Sequence, residues 1–136
     1  MSLVLDSSVA LAYCFDEEMT PQIFAIFDRV IEEGIVVPSL WRYEVANVLA
    51  LAERRGRVMS GFPKIAFDRF GKISIVLDEE SDEQAWTTTI RLAALYTLTV
   101  YDAAYLELAQ RRRLPLATLD AALARAAKAA GVETLI

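Results

Sequence analysis

Short apolar runs alternate along this chain with longer stretches in which apolar residues return every three or four positions. The short runs predict buried strands at Leu3-Val4-Leu5, Ile35-Val36-Val37 and Leu116-Ala117-Thr118. Two further strands are expected over Ser74-Ile75-Val76-Leu77 and Glu133-Thr134-Leu135. Between them, cap and stop signals delimit helices. Ser7 or Ser8 caps a helix through Val9–Tyr13. Thr20-Pro21 opens one that carries Ile23, Ile26, Phe27, Val30 and Ile31 and stops at Gly34. Ser39 opens a helix through Ala52, closed near Gly56. Ser60 or Gly61 starts the next, with Pro63 in its first turn. Asp82 caps a helix through Ala94, Thr99 to Arg113 contains another, and Asp120 caps the last, ending near Gly131.

Strands this short and this apolar, alternating with helices, predict a central, mostly parallel sheet covered on both faces: an α/β/α sandwich in one domain over residues 1–136. Ligands of such sheets bind beyond the carboxyl ends of the strands. Four acids fall there or face it. Asp6 and Asp120 each follow a strand, and Asp102 lies in the first turn of its helix. Glu44 shares a helix face with Trp41 and Val48. Each has a bland explanation on its own, as a cap or a first-turn acid. Glu44 is the hardest to explain that way, because no basic residue stands three or four positions from it and Asn47 supplies only an amide. Acids beside core residues are costly unless paired or metal-bound, so the four together point to one site for a hard divalent cation. Ser7 and Ser8 beside Asp6, and Thr118 two residues before Asp120, add hydroxyls. The Thr118 hydroxyl could hold a metal-bound water, or the residue could serve β-propensity alone.

Composition narrows the chemistry. The chain has no histidine, which removes Ser-His-Asp triads and Cys/His zinc sites and leaves carboxylates, hydroxyls and lysine. Its one cysteine, Cys14, reads as a core residue. No stretch is long enough to span a membrane and no leader is evident, so a cytoplasmic protein is expected. A net charge of −5 argues against nucleic-acid binding by bulk electrostatics. The clusters Arg54/Arg55/Arg57 and Arg111/Arg112/Arg113 read first as cations at helix C-termini. Asp78-Glu79-Glu80 reads as a solvated run. The helix with Phe62, Ala66 and Phe70 on one stripe and Phe67 to its side offers more apolar surface than one core face needs.

Four segments carry a resemblance: Leu3-Val4-Leu5-Asp6-Ser7-Ser8-Val9-Ala10-Leu11, Glu44-Val45-Ala46-Asn47, Tyr101-Asp102-Ala103-Ala104-Tyr105-Leu106-Glu107-Leu108-Ala109 and Thr118-Leu119-Asp120. In this order they resemble the motifs of PIN domains, and among these the VapC-type toxins of toxin–antitoxin modules. The resemblance implies a metal-dependent ribonuclease. Asp6, Glu44, Asp102 and Asp120 would be the Mg²⁺- or Mn²⁺-binding and catalytic set, with Ser7 and Thr118 as supporting polar groups. It implies RNA as substrate, a homodimer, and a cognate antitoxin as partner. Ala121 and Ala122 stand where some members carry a further acid, which leaves one metal or two open. A non-catalytic PIN-like interaction module and a metal-dependent phosphohydrolase on another substrate are the alternatives. A dehalogenase-like phosphatase would need an aspartate where Ser8 stands, and a dinucleotide site would need glycines in Asp6-Ser7-Ser8-Val9.

Overall fold

The structure, a computed structural model, describes residues 1–136. Its strands are β1 (Leu3–Leu5), β2 (Ile35–Val37), β3 (Ile75–Leu77), β4 (Leu116–Ala117) and β5 (Thr134–Leu135). Its helices are α1 (Ser7–Cys14), α2 (Pro21–Glu33), α3 (Leu40–Arg54), α4 (Phe62–Phe70), α5 (Ser81–Gln84), α6 (Ile90–Tyr96), α7 (Val100–Arg112) and α8 (Ala121–Ala129). All five strands run parallel in the order β3-β2-β1-β4-β5.

That order dictates where a site can lie. The chain moves outward from β1 through β2 to β3, then returns past β1 to β4 and β5. Right-handed crossovers therefore put α1–α4 on one face and α5–α8 on the other, and the inter-helix contacts follow this division. Between β1 and β4 the winding reverses, and the crevice beyond their carboxyl ends is the natural ligand position. Asp6 and Thr118 are the residues that leave these two strands.

Central strands must be apolar on both sides, and here they are. Leu3, Val4, Leu5, Val37, Leu116 and Ala117 are wholly buried within a cluster of 36 core residues. Each large side chain so buried contributes about 1.5–3 kcal/mol relative to exposure. Gly34 enters β2 with φ +80°, and a Cβ there would meet the Ser74 carbonyl oxygen at 3.0 Å, so only glycine fits. No helix is long and apolar enough to cross a membrane.

Three local expectations need correction. The first helix starts at Ser7, with Asp6 at the N-cap position, and the Ser8 hydroxyl is directed elsewhere. Ser39 precedes α3 without capping it; its hydroxyl donates to Asp82 at 3.0 Å. Asp82 is therefore not a cap. The helical segment starts at Ser81 and passes through a π turn at Ala85–Thr89 before α6. Thr20 and Asp120 cap α2 and α8 through their side chains as their sequence positions predict, and Thr99 caps α7 in the same way.

Candidate active site

Asp6 ends β1 and is 4% exposed. Its carboxylate makes no cap bond to α1. Instead Oδ2 accepts from Ser8 Oγ and from Thr118 Oγ1, both at 2.7 Å, and Oδ1 accepts from Ser7 Oγ at 3.5 Å. The two closer hydroxyls also stitch the switch point together. Ser8 Oγ accepts from the Leu119 backbone N–H at 3.0 Å, and Thr118 Oγ1 from that of Asp120 at 3.0 Å. The hydroxyl of Thr118 is thus occupied by Asp6 and the chain itself, and Ser8 is a closer partner of Asp6 than Ser7.

Glu44 sits in the second turn of α3, partly buried. Its partner comes from the opposite helical layer: Tyr105 Oη of α7 donates to Glu44 Oε1 at 2.5 Å. Burial pushes the Glu44 carboxyl up, the phenol's hydrogen bond opposes this, and the charge of Asp6 raises it further. Asp102 lies at the start of α7, where Thr99 Oγ1 accepts from its backbone N–H at 3.1 Å. Burial raises its carboxyl as well, followed by the charges of Asp6 and Asp120. Asp120 caps α8 through Oδ1, which accepts from the Leu123 N–H at 2.9 Å.

The four acids thus share one rim and feel one another's charge. They do not stand as a closed cage, since no three acids of the chain are gathered at metal-ligating spacing. Mutual repulsion of uncompensated carboxylates works against such a cluster, whereas a divalent cation would favour it. None of the four forms an ion pair. The chain's salt bridges go to Glu17, Glu18, Glu33, Asp78, Glu80 and Glu107. Asp6 is therefore a buried carboxylate held only by neutral hydroxyls, among other carboxylates. Oxygen donors without protein cations fit a hard divalent ion.

Three features escaped the sequence reading. Tyr105 lies three residues after Asp102, hence on the same helix face, and that spacing was the available signal. Asp78 is not part of a solvated run: it is 9% exposed, and Arg111 Nη2 donates to it at 2.6 Å. Arg111 also donates through Nε to Glu107, itself 2% exposed, at 2.8 Å. Arg111 stands in the last turn of α7, as expected, and is in addition the ion-pair partner of Asp78 and Glu107, while Arg57 makes an exposed pair with Glu17 and Glu18. Cys14 is the core residue expected, its thiol pushed up to about 11 by burial.

Comparison with known proteins places nearly the whole chain in one family. The family model of the PIN domain matches residues 3–129. This chain belongs to the PIN-domain family. It is 32% identical over 126 residues to Ribonuclease VapC3 of Pyrobaculum aerophilum, covering 91% of this chain and 93% of that protein. The crystal structure of PAE2754 from Pyrobaculum aerophilum superposes with a TM-score of 0.67 at 26% identity, over 99% of this chain and 90% of that one. That of FitAcB from Neisseria gonorrhoeae superposes with a TM-score of 0.65 over 98% and 96%. At 18% identity it speaks to the fold alone.

Proposed function

We propose that this PIN-domain protein is a Mg²⁺- or Mn²⁺-dependent endoribonuclease of the VapC toxin type. The observation that carries the reading is the buried, cation-free Asp6 at the β1/β4 switch point, with Glu44, Asp102 and Asp120 around it. Ribonuclease VapC3, similar over nearly its whole length, supports RNA as substrate. The four carboxylates would hold the ion, with Ser8 and Thr118 orienting Asp6. A bound cation supplies the positive charge that lets an anionic site meet a phosphodiester and polarises its phosphorus. The protein's own part is to orient Asp6 by hydroxyl donation from Ser8 and Thr118 and to set the charge of the rim. A carboxylate of this set would take the proton of the attacking water as its oxygen bonds to phosphorus, while the P–O bond to the leaving oxygen breaks and that oxygen takes up a proton from solvent. Unpaired RNA suits a rim site better than a closed helix does.

Asp102→Asn is nearly isosteric and should keep the fold. Its cleavage of a single-stranded RNA oligonucleotide should fall about a hundredfold or more, the scale of losing one preorganised electrostatic partner. EDTA should abolish wild-type cleavage. Wild-type rates from the purified variant would sink the assignment.

The same reading includes a second copy of the chain and a neutralising protein as partners. It is supported by apolar surface that the core leaves uncovered. Trp86 is 92% exposed, and Phe67, at 44%, lines a groove of about 520 Å³ with Trp41, Val45, Phe70, Ile73 and Ile75. Co-purification with the product of an adjacent small gene should give a complex in which RNA cleavage is blocked. A protein that stays monomeric in sedimentation and ignores that product would remove the toxin–antitoxin part and leave the nuclease part standing.

A further inference from the structure

We infer that Tyr105 is a positioning residue that holds Glu44 in place for cation capture. The inference rests on the metal-site reading above and adds to it a residue that touches neither the ion nor the substrate.

Tyr105 has no exposed surface, and it is among the largest wholly buried side chains of the molecule. A buried phenol must place its hydroxyl on a partner. Apolar contacts surround the ring, yet the hydroxyl reaches out of α7, crosses from one helical layer to the other, and donates to Glu44 Oε1 on α3 at 2.5 Å. No cation reaches Glu44. The phenol is therefore a close long-range donor to this carboxylate, with the Ser7 hydroxyl beside the pair, and it helps to set the carboxylate's direction. The side chain has three rotatable bonds, and the hydrogen bond selects one arrangement of them before any ion arrives. A carboxylate so fixed loses less freedom on ligation, which is how hydrogen bonds to ligands raise metal affinity.

The bond also makes the site a property of both helical layers. Asp6 and Thr118 come from the sheet, Glu44 from one layer, and Asp102 with Tyr105 from the other. Asp102 and Tyr105 stand one turn apart on α7, so the helix that presents one acid also aims another.

The test is Tyr105→Phe, which keeps the ring and deletes only the hydroxyl. Its metal-free melting temperature should stay within a few degrees of wild type. The Mn²⁺ concentration giving half of the full melting shift should rise roughly tenfold, within the range for lost hydrogen bonds to metal ligands. Saturating Mn²⁺ should restore most of kcat on an RNA oligonucleotide, with KM for RNA unchanged. In a Glu44→Gln background the substitution should no longer alter the Mn²⁺ response, because the two side chains act as one unit. An unchanged Mn²⁺ midpoint in Tyr105→Phe overturns the inference, as does a variant that lacks a cooperative metal-free melt. A wild-type protein with no Mn²⁺ shift at all would instead overturn the metal-site reading beneath it.

Discussion

At the scale of single residues, the molecule treats its buried acids in two opposite ways. Asp78 and Glu107 are neutralised by Arg111, whose guanidinium their hydrogen bonds hold above its usual range. Asp6 receives hydroxyls only. Burial would raise the Asp78 carboxyl, but Arg111 and Ser81 more than offset this and hold it below the ordinary carboxylate range. A depressed carboxyl contributes stability above its unfolded-state pKa and loses it as pH falls through the folded-state value. Asp78→Asn should therefore cost about 2 kcal/mol at neutral pH, the scale of a hydrogen bond to a charged group. The difference should persist down to about pH 5 and shrink below the usual aspartate pKa of about 4. Urea denaturation at a series of pH values checks this, and a difference independent of pH would show that the ion pair is not its source.

At the scale of elements, the sequence was most legible where period and punctuation agree. Thr20-Pro21 and Gly34 bound α2, and the apolar triplets at residues 3–5 and 35–37 are β1 and β2. It was least legible where a side chain has a distant alternative. Ser39 and Asp82 both look like caps, yet they bond each other across 43 positions of chain. Ser8 looks like a cap and instead joins β1 to the segment after β4. The π turn at Ala85–Thr89 leaves no mark in a window of helix-forming residues. The candidate site follows the same division. Asp6, Glu44, Asp102 and Asp120 stand out as candidates because acids interrupt apolar patterns there. Tyr105 does not, because a tyrosine on an apolar helix face reads as core, and it is core at every atom except its hydroxyl.

At the scale of the whole molecule, topology does what local sequence cannot. Residues 6, 44, 102 and 120 come within reach of one another's charge only because the chain winds outward from β1, reverses, and returns on its far side. The helix N-termini at Asp102 and Asp120 favour negative charge there, but such dipoles contribute only about 0.3–1 kcal/mol each and do not neutralise four carboxylates. We propose therefore that the rim is built for a divalent cation. A thermal melt of the wild-type chain with and without Mn²⁺, beside the Asp6→Asn/Asp102→Asn double variant, tests it most directly. An ion at one hundred times its dissociation constant stabilises a protein by about 2.7 kcal/mol. For a chain of this size that amounts to roughly 10 °C in melting temperature. Wild type should show a shift of that order and the double variant none, whereas an undiminished shift in the double variant would contradict the claim and place the ion elsewhere.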